Sequence, residues 1–234
     1  MVKSVGNAIG NETLEYGVDI LLAPATNIMR NPLCGRNFEY YSEDPILAGK
    51  LTSAMIQGIQ QNGVGTSIKH FALNNQETNR TGNNVLVSPY VMHELYLKPF
   101  EIAIRESTPW TVMSSYNKVN GEYASENSLL LDSILRRRWG YKGLVMTDWF
   151  GGQDAVKQTV AGNDLLMPGL KKQRKALKDA VENGKLSTHI LDRNVQRILE
   201  LIIKTPRFQQ YDYTNTVDLG ANARICLLYT SDAA

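Results

Sequence analysis

Asp148 closes the apolar run Leu144, Val145, Met146, with Thr147 between, and Trp149 follows it. A carboxylate at the tip of such a run, beside an aromatic wall, can attack a cationic centre or stabilise one. Aspartate is also a common first residue of a helix, where its side chain accepts a main-chain N–H, so capping is the competing role. Lys69 and His70 end a second apolar stretch, Val64 to Leu73. Neighbours within a strand face opposite ways, but at a turning strand tip both can reach one mouth and donate hydrogen bonds to hydroxyl groups. An interior lysine needs a partner, and a buried histidine can also be a satisfied core residue. Arg36 sits in CGRNFEYYSEDP, Arg80 closes NNQETNR, and Tyr116 lies in SSYNKVNG. An arginine fork binds vicinal hydroxyls or orients a carboxylate. Singly, each of these is an ordinary loop residue. Together they make a mouth of one acid, several cations and several rings, which suits a neutral polyhydroxylated ligand.

Other chemistries find less support. No two of the three histidines stand four residues apart, so no metal is expected. Cys34 and Cys226 form no CxxC motif, which excludes a disulfide framework and a cysteine zinc site and fits a reducing compartment. No GxGxxG follows any strand, and no cofactor is expected. Two alternatives stay open. One is a barrel lyase using Lys69 as a Schiff base, which requires a desolvated amine. The other is a sugar-binding remnant without catalysis.

The 234 residues carry a net charge of +2, with 43% hydrophobic and 21% charged residues, the profile of a globular protein with a sizeable core. No run approaches about 18 apolar residues, so no membrane span is expected. The basic runs Arg136, Arg137, Arg138 and Lys171, Lys172, Arg174, Lys175 fall on predicted helices and read as solvated faces, not as a nucleic-acid surface. Val, Lys and Ser after Met1 give no signal-peptide pattern, which points to the cytoplasm, but a truncated start would also remove such a segment, so the compartment stays open. The oligomeric state is open.

The elements that must hold these residues alternate. Short apolar runs read as buried strands: Gly17 to Pro24, Val64 to Leu73, Trp110 to Asn117, Gly143 to Trp149 and Asn163 to Gly169, with a weaker sixth between Thr78 and Val87. Between them, Leu47, Leu51, Met55 and Ile59 recur every four residues as one helix face. Ser88 and Pro89 open a helix to about Glu106 that Pro99 should kink. Leu130, Leu131, Ile134 and Leu135 form another stripe stopped by Gly140, and Ser187 opens a last helix with Leu191, Val195, Ile198 and Ile202. Strand–helix alternation predicts parallel strands joined by crossovers. Chemistry spread over several strand tips favours a (β/α)8 TIM-type barrel over an open doubly wound sheet. The strands number too few for a full barrel, so the expected architecture is a partial barrel over residues 1–204 that lacks strands upstream of Met1. Residues 205–225 read as an interdomain linker and the start of a second domain, and residues 226–234 as a non-native tail.

The blocks NPLCGRNFEYYSEDP, KHFALNNQETNR, VMSSYNKVNGEYASEN, RRRWGYKGLVMTDWFGG and AGNDLLMPG, in this order, resemble glycoside hydrolase family 3 in its bacterial β-glucosidase branch. The resemblance covers residues 1 to about 225. It implies a retaining glycoside hydrolase that releases terminal β-linked glucose from β-glucosides or short oligosaccharides. In it Asp148 matches the nucleophile, with Thr147 in place of the usual serine. Arg36, Lys69, His70, Arg80 and Tyr116 match residues that hold the innermost sugar, and Met113 and Trp149 match its walls. A nearby cation would hold Asp148 ionised at neutral pH. The family's general acid is a glutamate in an α/β sandwich domain beyond the linker, and further sugar-binding Asp and Arg residues precede GVDILLAP; none of these is present. The branch with a KHFPGHG-like loop, which acts on N-acetylglucosamine, is excluded by KHFALNNQ. The sugar itself is left open among glucose, xylose and arabinose, and the chain alone is expected to have little activity.

Overall fold

The computed structural model describes residues 1–230. Its strands are β1 (Ile20–Leu21), β2 (Gly65–Phe71), β3 (Asn84–Val85), β4 (Thr111–Ser114), β5 (Lys118–Val119), β6 (Glu122–Tyr123) and β7 (Leu144–Thr147). Four of them form one parallel sheet in the order β1-β2-β4-β7. Val112 pairs with Ile68 on one side and with Val145 on the other. Leu165 adds a parallel bridge to Met146, which places the Asn163 to Gly169 segment beside β7. Four of the five strands expected for the barrel are therefore found, in sequence order, across one sheet, and the fifth segment adds a single bridge at its edge. Every residue of β4 and β7 is buried, which is why their sequences are continuous apolar or small runs and not alternating ones.

The helices Pro45–Gln60, Lys98–Ser107, Leu129–Arg138 and Ala155–Ala161 occupy the successive crossovers. They cover the sheet through a core that includes Ile56, Ile68, Phe71, Phe100, Leu131, Leu135, Trp139 and Val145. Phe71 meets Phe100 and Trp139 edge-on, at centroid distances of 5.3 and 5.8 Å. Asp44 caps the first of these helices by accepting the Leu47 N–H at 2.7 Å. Ser88 Oγ caps the segment starting at Pro89 by accepting the Val91 N–H. That segment passes through a wide turn at Met92–Tyr96 before Lys98–Ser107, so the interruption falls just ahead of Pro99.

Several elements differ from their sequence reading. The sixth strand exists as β3, but it pairs with β5 in a separate three-stranded sheet β3-β5-β6, outside the barrel series. On Pro45–Gln60, Met55 and Ile59 are buried, while Leu47 is 49% exposed and Ala48, Thr52 and Ile56 complete the inner face. This helix packs against both Val2–Glu15 and Lys98–Ser107, and small residues permit the approach. A methyl group at Gly58 would stand 2.2 Å from the Lys3 carbonyl oxygen. Large-residue periodicity does not register such a face. On Thr188–Ile202, Ile198 and Leu201 pack on Met113, Leu144 and Met146, whereas Val195 and Ile202 are exposed. The basic run at 136–138 also divides. Arg137 and Arg138 are solvated, but Arg136 is buried and bonded to Asp164 Oδ2 at 2.6 Å.

Residues 205–217 lack regular secondary structure beyond a turn, yet they are strapped to the first helix. Glu15 accepts from Tyr211 Oη at 2.7 Å and from the Thr214 N–H at 2.9 Å. A helix, Leu219–Thr230, then crosses position 226; residues 231–234 of the expected tail lie outside the described residues. No described helix is long and apolar enough to cross a membrane.

Candidate active site

Parallel strands present all their carboxyl ends at one rim of the sheet, so side chains distant in sequence meet there. β2 delivers Lys69 and His70, β4 delivers Met113 and the turn bearing Tyr116, and β7 is followed by Asp148 and Trp149. Arg36 arrives on the loop after β1 and Arg80 on the loop after β2. All eight side chains, with Leu22, line one cavity of about 220 Å³. Lys69 and His70, adjacent in the chain, both reach it.

Asp148 is 6% exposed. Its Oδ1 accepts the Trp149 N–H at 2.7 Å, its Oδ2 lies 3.5 Å from His70 Nε2, and the Tyr116 hydroxyl faces it and favours its ionised form. The cations expected to favour its ionised form, Arg36 and Arg80, do pull its pKa down, but they are not the largest influence. Burial is the largest influence and raises its pKa above the ordinary value, against the pull of the Trp149 N–H, Tyr116, Arg36 and Arg80. Nor does Asp148 cap the following helix: that position belongs to Asp154, which accepts from the Val156 and Lys157 N–H groups.

His70 is 2% exposed, and burial together with the positive charges of Arg36, Lys69 and Arg80 drives its pKa well below the usual histidine value. The imidazole is therefore neutral and its contact with Asp148 is not an ion pair. Its main chain is fixed by Asn27, which accepts the His70 N–H at 2.9 Å and donates to the His70 carbonyl at 3.0 Å. Tyr116 is pushed up to about 12 by burial and by the charge of Asp148, so it stays protonated and can donate. The Arg80 guanidinium stacks 4.7 Å above its ring.

The cations are held from behind by acids that the sequence reading did not single out. Glu39 bonds Arg36 Nε and lies 3.6 Å from Lys69 Nζ; Glu77 bonds Arg80 at 2.7 Å. Their signal was present as glutamates three residues after Arg36 and three before Arg80, the spacing of local ion pairs. A Schiff-base lysine must be a free neutral amine, whereas Lys69 sits in an ion pair. Among the described residues no three His, Cys, Asp or Glu side chains gather as a metal site would need.

A buried acid, three cations and an aromatic wall thus gather at the carboxyl rim of a parallel α/β sheet. Residues 1–201 match the family model described as the glycosyl hydrolase family 3 N terminal domain. The chain is 47% identical over 205 residues to the thermostable beta-glucosidase B of Acetivibrio thermocellus, which covers 86% of this chain and 27% of that protein. It is 41% identical over 205 residues to an exo-alpha-(1->6)-L-arabinopyranosidase of Bifidobacterium breve, covering 88% and 27%. Among solved structures, beta-glucosidase 3B from Thermotoga neapolitana in complex with glucose superimposes with a TM-score of 0.93 at 50% identity, covering 96% of this chain and 32% of that one. The chain belongs to glycosyl hydrolase family 3. It spans about a quarter to a third of the length of these relatives.

Proposed function

We propose that this chain carries the nucleophile half of a retaining β-glucosidase, which releases terminal β-linked glucose from β-glucosides and short oligosaccharides. The observation that carries the reading is the convergence of Asp148 with Arg36, Lys69, His70, Arg80, Met113, Tyr116 and Trp149 on one cavity of about 220 Å³. A space of that size takes a single sugar ring. The relatives named beta-glucosidase support glucose as that sugar.

The chemistry follows from the groups present. A carboxylate oxygen of Asp148 bonds to the anomeric carbon as the bond to the aglycone oxygen breaks, leaving a glycosyl ester. Water then attacks the same carbon and Asp148 leaves as a carboxylate. The fixed negative charge stabilises the oxocarbenium-like transition states on both sides of the ester. Arg36, Lys69 and Arg80 donate to ring hydroxyls, and neutral His70 can donate or accept. Met113 and Trp149 wall the ring.

Asp148 is the only acid lining the cavity among the described residues, so the proton for the departing aglycone comes from outside it. The family resemblance assigns that task to a glutamate on an α/β sandwich domain after the 205–225 linker. The same proposal closes the barrel with strands that precede residue 1 in the parent protein. Among the described residues no strand pairs on the far side of Leu165, and Val195, Leu199, Ile202 and Ile203 expose an apolar face. The relatives' greater length accommodates both additions. Without the acid, hydrolysis of an unactivated glucoside falls by about 10²- to 10⁴-fold.

The test is covalent trapping with 2,4-dinitrophenyl 2-deoxy-2-fluoro-β-D-glucoside, whose leaving group departs without a proton. Mass spectrometry of the digested protein is expected to show one glycosyl adduct, on Asp148. No adduct, or an adduct elsewhere, sinks the reading. Rapid cellobiose hydrolysis by the chain alone would refute the assignment of the acid to another domain. The arabinopyranosidase relatives motivate a second reagent: faster trapping by an activated α-L-arabinopyranoside moves the substrate to that sugar.

A further inference from the structure

One buried carboxylate plays no part in the chemistry above. Glu126 is 8% exposed and lies on the turn Ala124–Glu126, directly after the small sheet that follows Tyr116. Its Oε1 accepts the N–H groups of Gln153, at 2.6 Å, and Asp154, at 2.8 Å. Those two amides end the loop that leaves Asp148 and carries Trp149. The rest of that loop is pinned as well. Gln158 Nε2 donates to the Gly151 carbonyl at 2.6 Å, and the Phe150 N–H donates to the Met167 carbonyl at 3.1 Å. Gly152, at φ +69°, leaves no room for a side chain: a methyl group there would stand 2.1 Å from Gln158 Nε2 and 2.5 Å from Ser125 Oγ. Gln153 Nε2 also donates to the Tyr123 hydroxyl at 3.0 Å, across the same junction.

Two donors reach Asp148 from these two loops. The Trp149 N–H comes from the loop after β7, and the Tyr116 hydroxyl comes from the excursion after β4. We propose that Glu126 is a positioning residue that locks the two loops together and so keeps both donors, and the Trp149 ring, on Asp148. Its role in catalysis rests on the glycosidase reading; its hold on Asp148 does not. Freeing the loop removes donors that favour the ionised acid. His70, Tyr116, Arg36, Arg80 and Lys69 are the other titratable or charged groups lining the cavity.

The experiment follows the Asp148 carboxyl by carbon-13 NMR through a pH titration of the whole chain, in wild type, Glu126→Ala, Glu126→Asp and Glu126→Gln. Removing one charged hydrogen bond corresponds to an upward shift of about one pH unit in Glu126→Ala. Glu126→Gln keeps the carbonyl acceptor and is expected to titrate like wild type. Glu126→Asp, one methylene too short to serve both amides, should fall between. A folded Glu126→Ala with a wild-type midpoint overturns the proposal. If that variant does not fold, a wild-type midpoint in folded Glu126→Asp overturns it equally. A purely structural role would lower thermal stability in Glu126→Ala and Glu126→Asp and leave the midpoint in place. Trapping by the fluoroglucoside is scored separately on wild type: its absence refutes the glycosidase reading, while the NMR midpoints still decide the role of Glu126.

Discussion

Two aspartates of similar burial flank the strand β7, and they differ in what surrounds their carboxylates. Asp164 lies beside the start of the strand, where its Oδ2 accepts the Val145 N–H at 2.9 Å. Arg136 binds the same oxygen at 2.6 Å and Arg197 binds Oδ1 at 2.8 Å, so the carboxylate, fully enclosed, has no capacity left for a ligand. Asp148 follows the other end. It has one main-chain donor, a tyrosine and a neutral histidine, while the arginines that favour its charge line the same cavity without an ion pair to it. The same residue type, at similar burial, becomes a structural tie where its valences are filled and a candidate nucleophile where one side is left open to a cavity.

Breaking the open member should have the largest effect on chemistry and a favourable one on stability. Asp148→Asn is expected to abolish trapping and to lower any aryl-glucoside cleavage by roughly 10³-fold or more. The folded pKa of Asp148 is raised, so above the unfolded value the native state binds more protons than the unfolded one. Ionisation of Asp148 therefore costs stability as pH rises through that window. Removing the charge should raise the thermal midpoint at pH 7 by a few degrees, about 1 kcal/mol. A clear drop in the midpoint would contradict the view that Asp148 is held against its own preference.

The closed member should behave oppositely. Asp164→Asn leaves Arg136, whose side chain is 8% exposed, as an unpaired buried cation. Urea denaturation should show a loss of about 3 kcal/mol. A loss no larger than that of an exposed pair such as Lys175–Asp179 would mean that the triad does not tie β7 to Thr188–Ile202.

The smallest effect concerns His70. Its folded pKa is depressed, so between the unfolded value near 6.5 and the folded one the unfolded chain holds a proton that the native chain does not. Stability therefore falls as pH drops through 6.5, by at most about 2 kcal/mol at pH 5. His70→Gln should flatten that decline in urea melts at pH 5 and pH 7. An unchanged slope would show that the acid sensitivity lies elsewhere.

The strands and the residues at their tips that line the cavity were legible because both leave local marks. A strand buried on two faces must be a continuous apolar or small run, and β4 and β7 are such runs. Polar residues at the end of such a run stand out against it, as Lys69, His70 and Asp148 do. The groups that hold them were not legible. Glu39, Glu77 and Glu126 look like ordinary loop acids, and Arg136 looks like one of three solvated arginines. The inner face of Pro45–Gln60 is built from Ala48, Thr52 and close-approach glycines, which carry little hydropathy signal.

By itself the sequence determined the order of strands and helices, and therefore which side chains would arrive at the carboxyl rim, because burial and backbone pairing impose a period on the chain. Only the tertiary structure decided which carboxylates were saturated by arginines and which faced open space, since a hydrogen-bond partner can come from any distance along the chain: 77 residues separate His70 from Asp148 by position, where 3.5 Å separate Nε2 from Oδ2.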